Sequence, residues 1–152
     1  NNQEVTPNLN RLIEEKSSLY FDNYFQLIGR GNTSDAEFVT QNSLYPSMED
    51  FTYSRYAKNT FYGIPWLLRD YGYTTWVSHG YEKDFWNRAN AYPYQGFQRF
   101  ISKEDFNYQE TIGFGISDAE FYDQSLDYLK ELDGLDNNPF YAFLITLSSH
   151  TP

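Results

Sequence analysis

The chain has 152 residues, with 21 acidic against 11 basic side chains, a net charge of −10 and no cysteine. This excludes a disulfide scaffold, a cysteine-ligated metal site and a cysteine nucleophile, and a field of that sign repels nucleic acid and anionic membrane surfaces at long range. Aromatic residues make up 20% of the chain, enough to fill the core of one packed domain, and no apolar run approaches the ~18 residues of a membrane span.

Positions 1–30 hold no basic segment followed by an apolar one, so no signal peptide is expected. The chain starts at Asn1 rather than Met and stops at Thr151-Pro152, just after an apolar run. It reads as the middle of a longer polypeptide.

Thr6 and Pro7 open a short amphipathic helix through Leu9, Leu12 and Ile13, with Thr6 as N-cap and Pro7 at the first helical position. The aromatic stretch 18–28 reads as a strand. Gly29-Arg30-Gly31-Asn32 is a turn, and a helix begins near Thr33, where Ser34 and Glu37 have capping-box spacing. Residues 43–60 lack periodicity and read as loop. Ile64 starts a helix that Gly72 stops. Tyr73 to Ser78 alternates as a strand ending at His79-Gly80. Asp84 to Ala91 reads as a short helix carrying Phe85, Trp86 and Arg88. Residues 92–116 are turn-rich. Ser117 to Leu132 is a helix, capped by Ser117 and Glu120, with an apolar stripe at 121, 122, 126, 129 and 132. Phe140 to Leu147 reads as a strand buried on both faces. Strands separated by helices predict an α/β fold, a mostly parallel sheet flanked by helices.

Ligands of such sheets sit beyond the carboxyl ends of the strands. His79 and His150, the two histidines of the chain, follow two predicted strands, and Thr33 opens a helix after a third. Each has an ordinary role open to it: Thr33 as an N-cap, the histidines as surface or satisfied residues. The alternative for Thr33 is a hydroxyl at a helix N-terminus that attracts phosphate or sulfate. Phe85-Trp86-Asn87-Arg88 offers an aromatic wall and a guanidinium fork for phosphate, or else a buried Trp and a solvated Arg.

The string Gly31-Asn32-Thr33-Ser34-Asp35-Ala36-Glu37-Phe38, followed by Asn42-Ser43-Leu44-Tyr45-Pro46, resembles the extracellular catalytic domain of the lipoteichoic acid synthase family. Those enzymes are phosphoglycerol transferases of the alkaline phosphatase/sulfatase superfamily. Val5 to Asn10, Ser78-His79-Gly80 with Phe85 to Arg88, and Phe143 to Pro152 agree in the same order. The resemblance implies an alkaline phosphatase/sulfatase-like fold, incomplete at both ends, with residues 1–152 as the central part of one catalytic domain.

By that resemblance Thr33 is the nucleophile and a ligand of a divalent metal, usually Mn²⁺. It attacks the phosphorus of a phosphatidylglycerol head group, and the glycerophosphoryl-threonine passes its group to a growing glycerol-phosphate polymer. His79, Trp86, Arg88 and His150 match residues lining the glycerol-phosphate pocket. A member of that family has Lys before its nucleophile where this chain has Asn32. Its remaining metal ligands match no residue here, so the parent protein is expected to be the enzyme and the 152 residues alone inactive. The implied partners are an anionic phospholipid head group and the polymer, with no nucleic acid, and with a membrane reached through segments outside this chain. The implied location is the outer face of a bacterial plasma membrane. A phosphoethanolamine transferase, a phosphodiesterase of the same superfamily and a non-catalytic module binding anionic polymers are the alternative functions.

Overall fold

A computed structural model describes residues 3–150. Its centre is β1 (Thr74–His79), six consecutive buried residues. β2 (Arg99–Ile101) and β5 (Phe140–Ile145) run parallel to it on either side, giving the order β2-β1-β5. The register pairs Thr74 with Phe140 and His79 with Ile145. β1 and β5 therefore end level, and both release their chains at one edge of the sheet.

Because successive strand residues face opposite ways, β1 feeds two cores. Val77 packs with Phe38, Tyr53, Ala91, Tyr92 and Phe97 under α2 (Thr33–Asn42), α3 (Thr52–Arg55) and α5 (Arg88–Gln95). Trp76 packs with Ile101, Phe106, Ile116, Phe121 and Leu132 under α6 (Asp118–Leu135). α4 (Ile64–Asp70) leads into β1 through Gly72, whose positive φ of 83° makes the reversal easy for glycine. β3 (Thr111–Ile112) and β4 (Gly115–Ile116) form a small antiparallel hairpin before α6. The observed architecture is the α/β fold with a parallel sheet and flanking helices that the element order predicts.

Several local expectations are corrected. Residues 18–28 form no strand. Strand backbone needs a neighbour to bond to, and none among the described residues lies alongside; Leu19, Phe21, Tyr24 and Phe25 are exposed. The helix expected from Asp84 breaks, because Trp86 and Asn87 both adopt positive φ (56° and 60°) between a 3-10 turn at Phe85–Asn87 and α5. α3 and β2 lie inside segments that read as irregular. β5 ends at Ile145 and is half-buried rather than buried on both faces; among the described residues it pairs on one side only. α1 (Pro7–Glu14) forms as expected, but buries none of its residues, and the Thr6 hydroxyl bonds Asn10 instead of capping. Thr151 and Pro152 lie outside the described residues.

α6 starts at its expected cap, with Ser117 Oγ accepting from the Glu120 N–H at 3.3 Å. Its inner face, however, runs through Phe121, Ser125, Tyr128, Leu129 and Leu132. Tyr122 and Leu126 stand a third of a turn away, 50% and 55% exposed, so they leave the predicted core stripe. Leu132→Ala should therefore cost about 2–5 kcal/mol, whereas Leu126→Ala should stay within about 0.5 kcal/mol. Urea unfolding of both variants checks this; equal losses would put the helix in the wrong rotation.

Candidate active site

The site begins with the turn before α2. Asp35, fully buried, accepts from the backbone N–H groups of Gly29 (3.1 Å), Gly31 (2.7 Å) and Thr52 (3.0 Å). One carboxylate thus ties the turn to the start of α3. A side chain on Gly31 would meet Asp35 and Ser34 oxygens at 2.6–2.7 Å, so glycine is required there. Ser34 Oγ donates to Gly31 O at 2.9 Å. Asn32 sits at φ 44°, ψ −108°, a strained conformation outside glycine. Thr33 follows as the first residue of α2, not as its cap.

Glu37, one turn along α2, takes no part in a capping box. It reaches across to Arg88. Arg88 Nε lies 3.2 and 3.3 Å from the two Glu37 oxygens, and Nη2 lies 2.6 Å from Oε1. Tyr92 donates to Oε2 at 2.8 Å, and Arg88 Nη1 donates to Phe85 O at 3.3 Å. Both partners are buried, 4% and 1% exposed. Burial disfavours the Arg88 charge, but the Glu37 carboxylate outweighs it and raises the pKa above its ordinary value. Tyr92 and Tyr53 are pushed well up, by burial first and then by Glu37.

The break at Trp86 and Asn87 lets the chain place Trp86 and Arg88 together. Asn87 Nδ2 anchors the break on Tyr53 O at 2.7 Å, and the Trp86 ring packs edge-on between Phe51 and Phe85.

His79 lies at the end of β1 and donates from Nδ1 to Ile145 O at 3.0 Å, which leaves Nε2 as an acceptor. Its pKa is lowered to about 4, by burial and then by the Arg88 charge, against the opposing Ile145 hydrogen bond and Asp118. The chain after β5 is held by Asp118, whose Oδ1 accepts from the N–H of Leu147 (2.7 Å) and Ser148 (3.0 Å), while its own N–H donates to Ser148 Oγ. His150 N donates to Leu147 O, and the His150 ring packs edge-on against Phe114 of the β3–β4 turn.

Thr33, His79, Trp86, Arg88 and His150 all line one cleft at the carboxyl edge of the sheet, with Phe85, Phe114, Thr146 and Leu147. Its empty volume is about 360 Å³, open mouth included. The cleft offers a hydroxyl, a fixed guanidinium, a neutral imidazole acceptor and an aromatic wall. Among the described residues no three His, Asp or Glu side chains come together to hold a metal ion. Thr33 alone is one neutral hydroxyl, which competes poorly with water for a divalent ion, so these residues by themselves do not fit the expected metal. Glu37, Asp35, Asp118 and Phe114 escaped the sequence reading. The sequence signal for Glu37 is an acid one turn after Thr33 and beside the apolar Phe38, a position that also has capping-box spacing from Ser34.

A family profile described as Sulfatase matches residues 1–152. The chain belongs to the sulfatase family. Within that family it is 39% identical over 152 residues to lipoteichoic acid synthase 2 of Bacillus subtilis, covering 99% of this chain and 23% of the relative. It is 38% identical to lipoteichoic acid synthase 1 of the same organism, covering 100% and 24%. The chain thus spans about a quarter of the length of the curated relatives it matches. The crystal structure of the lipoteichoic acid synthase LtaP from Listeria monocytogenes superposes with a TM-score of 0.87 at 34% identity, over 97% of this chain and 35% of that one. An alkaline phosphatase superfamily protein from Vibrio parahaemolyticus shares the fold, with a TM-score of 0.78 at 23% identity over 96% and 35% of the two chains. This sulfatase-family chain is therefore homologous to lipoteichoic acid synthases, and its fold is that of the alkaline phosphatase superfamily.

The buried His79 of this family member has a stability consequence. Its folded pKa of about 4 lies below the ~6.5 of an unfolded histidine. Between those values the unfolded chain binds the extra proton, so stability falls as pH drops from about 6.5 to about 4. The loss specific to His79 should approach about 3 kcal/mol. Denaturant unfolding across that range should show a shallower decline in His79→Gln than in the parent; parallel curves would contradict the depressed pKa.

Proposed function

We propose that this chain forms part of one sulfatase-like catalytic domain that transfers glycerol phosphate from a phosphatidylglycerol-type lipid to a glycerol-phosphate polymer. The observation that carries this reading is the convergence of Thr33, Arg88, His79 and Trp86 on a single cleft. Homology to lipoteichoic acid synthases supports it. In the reading, the Thr33 oxygen bonds to phosphorus as the bond to the diacylglycerol oxygen breaks, and that oxygen takes the proton. The polymer's terminal hydroxyl then displaces threonine by the same exchange. Arg88 binds the phosphate oxygens through parallel N–H groups and offsets charge that grows in the transition state.

His79 acts here as a neutral acceptor. With a pKa of about 4 it is a weak base, suited to receiving a hydrogen bond from a glycerol hydroxyl through Nε2 rather than to removing a proton at neutral pH. Trp86 walls the glycerol carbons, and His150 closes the cleft from the loop after β5. A divalent metal, Mn²⁺ in the family this chain resembles, would need ligands beyond the described residues, and no step here is routed through it. No helix among the described residues is long and apolar enough to cross a membrane. Work at the outer face of a bacterial plasma membrane is part of the same proposal.

In the parent protein, Thr33→Ala should abolish turnover of a phosphatidylglycerol substrate and leave glycerol 1-phosphate affinity within a few-fold. Turnover assays with calorimetric titration check both halves. Unchanged turnover in Thr33→Ala would remove the covalent threonine from the scheme.

A further inference from the structure

A guanidinium carries five N–H groups in one plane. In Arg88 the Nε–H and the neighbouring Nη2 proton form the side edge gripped by Glu37. One Nη1 proton goes to Phe85 O. The protein bonds therefore leave one proton on each of Nη1 and Nη2. The remaining Nη2 proton lies on the end of the fork, beside Nη1 and turned away from Glu37, where a phosphate oxygen can accept it. Arg88 borders the cleft while being only 1% exposed, so it has no freedom to choose another pose.

We infer that Glu37 is a positioning residue, which fixes the Arg88 fork side-on so that its end edge is presented to the phosphate in the cleft. This rests on the proposed phosphate-binding role of that cleft. Glu37 never meets the substrate; it acts through Arg88. Tyr92 is its support, since the hydroxyl bond to Oε2 stops the carboxylate from turning. Arg88 is thereby pre-ordered, and the ordering cost of a long flexible side chain is met in folding rather than in binding.

A double-mutant cycle tests the role. The probe is glycerol 1-phosphate, titrated calorimetrically into the parent protein and its Glu37→Gln, Arg88→Gln and double variants, with thermal melting run on each. Glu37→Gln should lower affinity about tenfold, a coupling of the size seen between touching residues. In the Arg88→Gln background the same substitution should leave the residual affinity unchanged. Tyr92→Phe, a milder change that keeps the aromatic packing, should lower affinity several-fold by loosening Glu37, and should do nothing further in the Arg88→Gln background. This second variant carries the test if Glu37→Gln does not fold. Equal proportional losses with and without Arg88 would mean that Glu37 serves the fold in general, and would overturn the positioning role alone. No measurable binding by the unsubstituted parent protein would instead remove the phosphate-site reading, and this inference with it.

Discussion

A charge pair buried beneath the cleft sets the terms for the rest of the site. Removing a guanidinium and a carboxylate from water costs several kcal/mol per ion, and only close geometry with further hydrogen bonds offsets it. Glu37 and Arg88 meet that demand with bonds of 2.6–3.3 Å and with Tyr92 as a third member. Their elements are far apart in sequence, one on α2 and one at the start of α5. The pair therefore requires α2 to enter at a set angle and the chain at Phe85–Asn87 to turn back on itself. Asp35 enforces the first condition by holding the Gly29–Gly31 turn and α3. The left-handed pair Trp86 and Asn87, pinned to Tyr53 O, enforces the second.

The opposite wall depends on strand register. β1 and β5 stop together at His79 and Ile145, and the hydrogen bond between those residues fixes the imidazole tautomer. Asp118, at the first position of α6, collects the N–H groups of the next loop. The helix that closes one core thus also places the loop bearing His150. Burial and the nearby Arg88 keep His79 neutral, and in the proposed reading the Arg88 fork is the fixed positive charge that meets the phosphate.

How far the sequence revealed this varied with the physics of each part. The α/β class followed from the helix and strand periods around β1, α6 and β5. Strand-end position points to His79 and His150, a helix start to Thr33, side-chain chemistry to Trp86 and Arg88, and resemblance to all five, which line one cleft. Ser34 and Glu37 have the spacing of a local cap, but the partner of Glu37 lies 51 residues away; no local pattern encodes such a contact. The strand expected at 18–28 has suitable residues, yet pairing is a property of two segments and not of one. Tyr122 and Leu126 on α6 are apolar yet exposed, because apolar character does not by itself say which way a helix faces.

We propose that a pre-fixed Arg88 fork receives phosphate in this cleft. Nitrogen-resolved NMR of the arginine side chains during a glycerol 1-phosphate titration tests it most directly. The Nη resonances of Arg88 should shift and saturate while Nε, held by Glu37, moves little. Saturable shifts at other arginines with Arg88 silent would contradict the account.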